Sequence, residues 1–198
     1  MLHPPPLREL AVRHASLAGP SQTCLLVVDL QRPFFDPLWQ KEEMLSRLQL
    51  LIEGAQAVGM PILCTVQNPE KLGPIIPEVA GLIPGAEPIA KMDFSCCADR
   101  AFVDRLEALN CKQVVVAGLE THICINQTVH DLLVRGYWVH LASDAVSSRR
   151  MADHLVGLRK MEQAGAIISS VETVLFEVLQ RAGTDRFRRV LELIKGRG

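Results

Sequence analysis

The sequence has no apolar run long enough to cross a bilayer and no excess of charge of one sign. Apolar stretches such as LLVV at 25–28 and VVVAGL at 114–119 fall far short of the ~20 residues that a spanning helix needs. A formal net charge of −1 gives no long-range attraction for nucleic acid or anionic membranes. We therefore predict a soluble, cytoplasmic protein with no nucleic-acid and no membrane partner.

The first 21 residues lack the continuous apolar core of a secretory signal. They contain three consecutive prolines, and their arginines leave organelle targeting as an alternative. A chain of 198 residues suits one α/β domain, and neither a linker nor an internal repeat interrupts the rest of it. We predict an irregular arm over 1–21 and a single domain over 22–198.

Motifs for nucleotide binding and for cysteine-rich metal sites are also absent. Without GxGxxG or GxxxxGK(S/T), dinucleotide and P-loop sites have no motif to support them. The six cysteines form no CxxC pair, have no metal-knuckle spacing and do not predict a disulfide framework. We interpret Cys24, Cys64 and Cys111 as structural, and keep the adjacent Cys96 and Cys97 as secondary site candidates.

The sequence does contain a regular alternation of strand and helix patterns. Short, continuous apolar runs, typical of buried parallel strands, lie at 23–29, 61–66, 113–118, 138–143 and 166–170. Helical spacing of apolar residues lies at 42–59, 98–109, 121–135 and 151–164, with helical pieces to the end. This alternation predicts an α/β three-layer sandwich, in which a mostly parallel central sheet has helices on both faces. The segment 67–90, rich in proline and glycine, is predicted to form a pocket.

Three reactive side chains follow predicted strands or end a loop, where ligands bind in sheets of this kind. Asp29 ends the first strand, Lys91 ends the long loop, and Cys124 follows the strand at 113–118 across a turn at Gly118. Taken singly, each has an ordinary explanation as a turn aspartate, a solvated lysine or a core cysteine. Their common placement predicts that they meet in one crevice.

Cys124 is predicted to lie in the first turn of a helix. If Thr121 is the N-cap, free backbone N–H groups and the helix dipole favour a thiolate at Cys124. A lowered pKa would make this cysteine the most reactive of the six. His122 lies only two positions away and so points to a different side of the helix, which makes Asp29 the preferred base.

Four elements occur in the order found in one protein family. They are VVDLQRPF at 27–34, KMDFS at 91–95, GLETHICINQT at 118–128, and SDAVSSR at 143–149 followed by MEQAGAIISSVE at 161–172. Over about 22–182 the sequence resembles the isochorismatase-like cysteine hydrolases, a superfamily that includes nicotinamidases and N-carbamoylsarcosine amidase. The run TVQNPEKLGPIIPEV at 65–79 is most similar to the subgroup called isochorismatase domain-containing proteins.

The resemblance implies a catalytic triad of Asp29, Lys91 and Cys124. In the family, the aspartate takes the thiol proton, the lysine supports the charges, and the thiolate attacks a carbonyl to form a thioester. A cis peptide between Leu119 and Glu120 is implied too, with the Glu120 and Cys124 amides facing the oxyanion. We further predict a substrate pocket lined by Gln31, Phe34, Gln67, Phe94 and Thr121.

Two departures from relatives narrow the expected reaction. Nicotinamidases bind a metal through an aspartate and two histidines after the second strand, whereas this chain has VQNPEKLG there and no histidine from 15 to 121. We therefore expect neither a metal nor another cofactor. True isochorismatases lack the nucleophilic cysteine that Cys124 provides here. The favoured reaction is hydrolysis of a C–N bond in a small amide, ureide or carbamoyl compound.

Other functions and the assembly state remain open in the sequence. The chain could retain the hydrolase fold but act as a binding or regulatory protein. A nucleic-acid role rests only on the arginines of 181–198, which we interpret as a solvated helix face. The 48% hydrophobic content and the family's habit of assembly predict a homo-oligomer, as a dimer, a tetramer or a larger ring.

Overall fold

The structure is a computed structural model that describes residues 13–14 and 16–197. Most of the predicted arm 1–21 lies outside these residues. Of the described part, Ala18 is fully buried, and the backbone N–H of Gly19 donates to Oε1 of Gln113 at 2.6 Å. Residues directly before the first strand thus pack on the domain, and the boundary between 21 and 22 stays a prediction.

The described residues form one six-stranded sheet in which every pair of neighbouring strands is parallel. Its strands are β1 Thr23–Val28, β2 Ile62–Gln67, β3 Ile89–Lys91, β4 Gln113–Leu119, β5 Trp138–Ser147 and β6 Ile167–Ser169. They lie in the order β3-β2-β1-β4-β5-β6, so β1 and β4 are the central pair. The predicted parallel sheet is confirmed.

Helices connect the strands and cover both faces of the sheet. They are α1 Arg32–Phe35, α2 Lys41–Val58, α3 Pro69–Leu72, α4 Pro77–Ala80, α5 Arg100–Ala108, α6 Asn126–Val134, α7 Met151–Gln163, α8 Val171–Leu179 and α9 Asp185–Lys195. A 3-10 turn at Cys96–Ala98 precedes α5, and a π-helical turn at Thr121–Ile125 precedes α6. No helix within the described residues combines the length and apolarity needed to span a bilayer.

Two hydrophobic cores lie on opposite faces of the sheet because successive strand residues point to opposite sides. In β1, Leu25 and Val27 join the core beneath α2 and α8, whereas Leu26 and Val28 join the core beneath α5 and α6. Burial on both faces explains why the strand sequences are continuously apolar rather than alternating. The predicted three-layer sandwich is confirmed.

The long loop 67–90 contains structure that its sequence did not reveal. It holds the one-turn helices α3 and α4 and leads into β3, an edge strand of three residues that pairs with β2. This strand has no recognisable apolar run, because it is only three residues long and ends in a lysine. β3 nevertheless matters for the site, since its last residue is Lys91.

Candidate active site

Asp29 lies fully buried immediately after β1, with a backbone φ of 52°. Such a φ is uncommon for residues other than glycine and is found disproportionately at functional sites. The Asp29 backbone N–H donates to the Thr65 carbonyl at 3.1 Å, and the Thr65 hydroxyl donates to Asp29 Oδ1 at 2.8 Å. Neighbouring β2 therefore fixes the position of the carboxylate.

Lys91 brings its ammonium to Asp29 at the carboxyl edge of the sheet. The Lys91 Nζ donates to Asp29 Oδ2 at 2.7 Å and to Gln67 Oε1 at 2.6 Å. It also lies 3.2 Å and 3.3 Å from the carbonyl oxygens of Asp93 and Phe94. Only 2% of Lys91 is exposed, so this is a buried charge whose neighbours compensate it.

The electrostatic surroundings keep Lys91 positively charged. Burial by itself lowers the pKa of Lys91, but the negative charge of Asp29 and the nearby thiols of Cys96 and Cys124 outweigh it, and the net pKa is raised. The lysine is therefore a fixed cation and is poorly suited to donate a proton.

Cys124 lies in the π-helical turn Thr121–Ile125, is 5% exposed and is near enough to the Asp29 side chain to be affected by its charge. Burial and the adjacent Asp29 charge raise the pKa of the Cys124 thiol well above its ordinary value, although Lys91 opposes the shift. The predicted lowering of this pKa is wrong. Desolvation and a carboxylate neighbour, which sequence position does not reveal, outweigh the lysine.

The turn before Cys124 is built by backbone geometry that only particular residues allow. Gly118 has a φ of 116°, and a Cβ there would lie 2.2 Å from the Val28 carbonyl oxygen on β1. Glycine is required because the two central strands approach so closely. The predicted cis peptide between Leu119 and Glu120 is confirmed.

Thr121 is not the N-cap of a helix, contrary to the sequence prediction. The cap position is Glu120, which makes no side-chain capping bond, and the first helical turn is π rather than α. The hydroxyl of Thr121 instead lies 2.9 Å from Nδ1 of His154 on α7. Thr121 therefore anchors the turn that carries Cys124 to the neighbouring helix.

A small cavity of about 50 Å³ opens at Cys124. Its lining residues are Phe34, Gln67, Phe94, Glu120, Ile123 and Cys124. Three of the five predicted pocket residues are among them, whereas Gln31 and Thr121 are fully buried and do not line the cavity. Ile123 was missed, although its place directly before the candidate nucleophile could have indicated it.

Gln31 holds another pocket residue in position. Its Nε2 donates to the backbone carbonyls of Gln67 at 2.9 Å and Gly73 at 2.7 Å, and its Oε1 accepts from the Gln67 N–H at 2.7 Å. Gln67 in turn accepts from Lys91 and donates to the Met92 carbonyl at 2.7 Å. Gln31 thus connects the long loop to the lysine.

Glu120 is buried at the edge of the cavity and paired with Arg149. The guanidinium Nε of Arg149 donates to Glu120 Oε1 at 2.9 Å, while over half of the arginine side chain is exposed. Sequence reasoning did not identify Arg149, because the residues that pair are 29 positions apart. Its positive charge offsets the carboxylate at the cavity edge.

The remaining cysteines and histidines near the site do not line the cavity. Burial raises the pKa of Cys96 to about 11 and that of Cys97 to about 12. His122 is hydrogen-bonded through Nδ1 to the Ser148 hydroxyl at 2.9 Å, as expected of a structural histidine. Asp29 is therefore the group best placed to accept a proton from Cys124.

Comparison with known proteins identifies the family. The isochorismatase domain model matches residues 23–173. Isochorismatase domain-containing protein 2A of Mus musculus is 34% identical over 189 residues, covering 94% of this chain and 90% of the mouse protein. The chain belongs to the isochorismatase-like hydrolase family. The predicted family and subgroup are confirmed.

Solved structures of other proteins share this fold. The MAR1 ribonuclease of Caenorhabditis elegans superposes with a TM-score of 0.84 at 34% identity, covering 90% of this chain and 92% of that one. Escherichia coli YcaC, described as an octameric hydrolase of unknown specificity, has a TM-score of 0.83 at 19% identity and covers 94% and 91%. The same fold thus occurs in a protein that is only 19% identical.

Proposed function

We propose that this protein is a cysteine hydrolase that cleaves a C–N bond of a small carbonyl compound through a thioester on Cys124. The observation that carries the proposal is the buried pair of Asp29 and Lys91, joined at 2.7 Å, whose charges act on Cys124 at the cavity. A nucleophile, a base and a fixed cation are the groups that acyl transfer requires.

The raised pKa of Cys124 assigns Asp29 an active part in the first step. Since the resting thiol is neutral, Asp29 removes its proton as Sγ attacks the carbonyl carbon. The amides of Glu120 and Cys124, both at the cavity, face the oxygen that becomes negative. When the C–N bond breaks, the proton on Asp29 passes to the leaving nitrogen.

The second step removes the acyl group. Water attacks the thioester carbon, Asp29 accepts a proton from that water, and the Cys124 sulfur leaves and regains a proton. Lys91 stabilises the Asp29 carboxylate before each proton transfer and the sulfur as negative charge develops on it. An amine and an acid are released, and the resting triad is restored.

The size of the cavity favours small substrates. Its volume of about 50 Å³ exceeds the ~10–15 Å³ that a single water molecule requires, so a small polar group such as the reacting carbonyl fits beside Cys124. Phe34, Phe94 and Ile123 supply an apolar wall, and Gln67 supplies an amide for hydrogen bonding. Small amides, ureides and carbamoyl compounds have the matching shape and polarity.

The proposed reaction uses no metal ion. Within residues 13–14 and 16–197, no three His, Cys, Asp or Glu side chains are grouped so as to hold one. The nucleophile and the base are both protein side chains, and the amide N–H groups supply the electrostatic stabilisation. Activity is expected to survive chelation.

A screen of small amides, ureides and carbamoyl compounds for released amine or ammonia tests the proposal. The wild-type chain and Cys97→Ser are expected to turn over the same compounds, with or without EDTA, because Cys97 lies outside the cavity. Cys124→Ala and Asp29→Asn are expected to be inactive. Equal turnover by Cys124→Ala, or loss in EDTA that zinc restores, would refute the mechanism.

Ribonuclease activity is a second candidate, favoured by the 34% identity to the protein named MAR1 ribonuclease. A nucleotide is far larger than the cavity at Cys124, and the chain has no excess of positive charge to attract a polyanion. An RNA-degradation assay separates the two. Cleavage that Cys124→Ala abolishes would replace the amide substrate with RNA, whereas cleavage that it leaves unchanged would indicate a contaminant or another site.

A binding or regulatory protein that retains the fold is the remaining alternative. It predicts that the screen yields no turnover while small carbonyl compounds still raise the melting temperature. The buried Asp29–Lys91 pair argues against this role, because a pair of buried charges is seldom more stabilising than apolar residues of similar volume.

We also propose that the protein is a homo-oligomer, as YcaC is described to be. Helix α7 exposes Met151, Leu155 and Val156, three large apolar side chains. The first two lie four residues apart and so share one helix face, where an apolar patch favours association. Light scattering at micromolar concentration should give a multiple of 21.9 kDa, and a monomer would contradict the proposal.

A further inference from the structure

Cys24 and Cys111 bring their sulfur atoms to 3.1 Å at the amino ends of the two central strands. Cys24 is the second residue of β1, and Cys111 lies in the turn before β4. A disulfide bond has a length of about 2.05 Å, so the sulfurs need to approach by only about 1 Å more. The sequence interpretation of both residues as separate structural thiols missed this proximity.

We infer that Cys24 and Cys111 are a redox modification site, which a peroxide converts to an intramolecular disulfide. A metal site is the main alternative use of two adjacent thiols. In the described part of the chain, no third metal-ligating side chain joins them, so they do not have the four ligands of a structural zinc site. Oxidation requires only the two sulfurs.

The two cysteines have different surroundings that give each a part in the reaction. Cys24 is fully buried, whereas Cys111 is partly exposed and is the only one of the six cysteines that is not buried. The hydrogen bond from the Cys24 thiol lowers the pKa of Cys111, while Cys24 itself has a raised pKa. Cys111 is thus the more acidic thiol and the one that solvent reaches, and Cys24 is the resolving thiol.

The oxidation is balanced with one peroxide molecule. The Cys111 thiolate attacks one peroxide oxygen and becomes a sulfenic acid, and the displaced hydroxide takes up a proton to form water. The Cys24 sulfur then attacks the sulfenic sulfur, and its proton leaves with the hydroxyl group as a second water. The thiols lose two electrons and two protons, which the peroxide gains.

The pair lies far from the candidate active site. Asp29 lies five positions after Cys24 along β1, which corresponds to about 16 Å. The disulfide would join the amino ends of β1 and β4 and close a loop between positions 87 apart. We expect it to stabilise the central strand pair without blocking the cavity.

Peptide mass mapping after treatment with one equivalent of hydrogen peroxide tests the inference. Trypsin releases Cys111 in the peptide 106–112 and Cys124 in 113–135, so their products are distinguishable. The wild-type chain and Cys97→Ser should yield a peptide that joins Cys24 to Cys111. Cys111→Ser should yield none and should keep its hydrolase activity, and Cys24→Ala should leave Cys111 as a sulfenic or sulfinic acid.

The consequence for stability is measured on the same samples. The melting temperature of the oxidised wild-type chain should rise by about 5–10 °C and return on reduction, with no rise in Cys111→Ser. The inference is wrong if Cys111 is recovered unmodified, as a sulfinic acid with Cys24 still free, or in a disulfide between two chains. Failure of the amide screen would not affect this result, because neither cysteine belongs to the triad.

Discussion

The two ends of β1 and β4 hold cysteines in opposite electrostatic surroundings. At the carboxyl edge, burial and the charge of Asp29 raise the pKa of Cys124. At the amino edge, a hydrogen bond from Cys24 lowers the pKa of the partly exposed Cys111. The more acidic thiol is therefore the one without a base beside it. We infer that the proposed nucleophile is activated by proton transfer to Asp29 during attack, whereas Cys111 is ready to react with small oxidants at rest.

Replacing Lys91 with Met should have the largest effect on stability and on activity. It removes the cation at the carboxyl edge of the sheet and leaves Asp29 as an unpaired buried charge. The free energy of unfolding should fall by about 3–5 kcal/mol, and turnover should be lost. Urea denaturation measures the first and the amide assay the second. Lys112→Met, at an exposed position beside the amino edge, should change stability by less than about 0.5 kcal/mol.

The double variant Asp29→Asn with Lys91→Met completes that test. It removes both charges, so part of the lost stability should return although activity does not. A Lys91→Met variant as stable as the wild type would show that the pair is not buried as described.

Gly118→Ala should cause the next largest loss of stability, since its added Cβ would clash with the backbone of Val28 on β1. Its Cβ would lie 2.2 Å from the Val28 carbonyl oxygen, and the backbone would be strained at a φ of 116°. Strain and overpacking each cost about 1–3 kcal/mol, which thermal or urea unfolding would detect. Gly136→Ala is the matched control, because its φ is also positive but no atom lies within 4 Å of the added Cβ. Equal losses of unfolding free energy in the two variants would show that the close approach of residue 118 to Val28 contributes nothing.

Much of this arrangement could be predicted from the sequence because it depends on local patterns. Continuous apolar runs identified five of the six strands, and the polar residues that follow them identified Asp29 and Cys124. The pairing order of the strands could not be predicted in the same way, because it depends on the paths of the crossovers. The three-residue β3 was not predicted because it ends in Lys91 and so forms no continuous apolar run.

The errors concern properties that only the folded protein has. Burial and the direction of Asp29 decide the ionisation of Cys124, and neither is visible in the spacing that predicted a helical first turn. Cys24 and Cys111 are 87 positions apart, so their contact is a consequence of parallel pairing between β1 and β4. Arg149 was missed for the same reason, since the fold brings Glu120 to it from 29 positions away.

Alkylation by limiting iodoacetamide near neutral pH should distinguish Cys111 from Cys124. Cys111 should be alkylated at least about tenfold faster than Cys124, because each unit of pKa increase removes about nine-tenths of the thiolate. Peptide mass mapping gives the order. Cys24→Ala should slow the labelling of Cys111 by removing its hydrogen-bond donor. Labelling of Cys124 first would contradict the assigned ionisation states.

The smallest effect is expected from the pH dependence of stability. It should come from His140 on β5, the strand beside β4. His140 is fully buried, neither ring nitrogen has a hydrogen-bond partner among the described residues, and desolvation lowers its pKa although Glu177 opposes the shift. Below pH ~6.5 the unfolded chain binds a proton that the folded chain does not. Stability should therefore fall as pH decreases, by at most about 1.4 kcal/mol per pH unit from this residue.

Urea denaturation between pH 7.5 and pH 5 measures that slope. His140→Leu should flatten the curve, leaving the contribution of His154, whose pKa burial also lowers. A curve that is equally steep in His140→Leu would assign the pH dependence to other groups.

Intact-protein and peptide mass spectrometry of the enzyme quenched during turnover of a small amide tests the central claim most directly. We predict an acyl adduct confined to the peptide 113–135 that contains Cys124, absent from Cys124→Ala and released by hydroxylamine as expected of a thioester. An adduct on the Cys111 peptide, or turnover with an adduct that persists in Cys124→Ala, would contradict the assignment of Cys124 as the nucleophile.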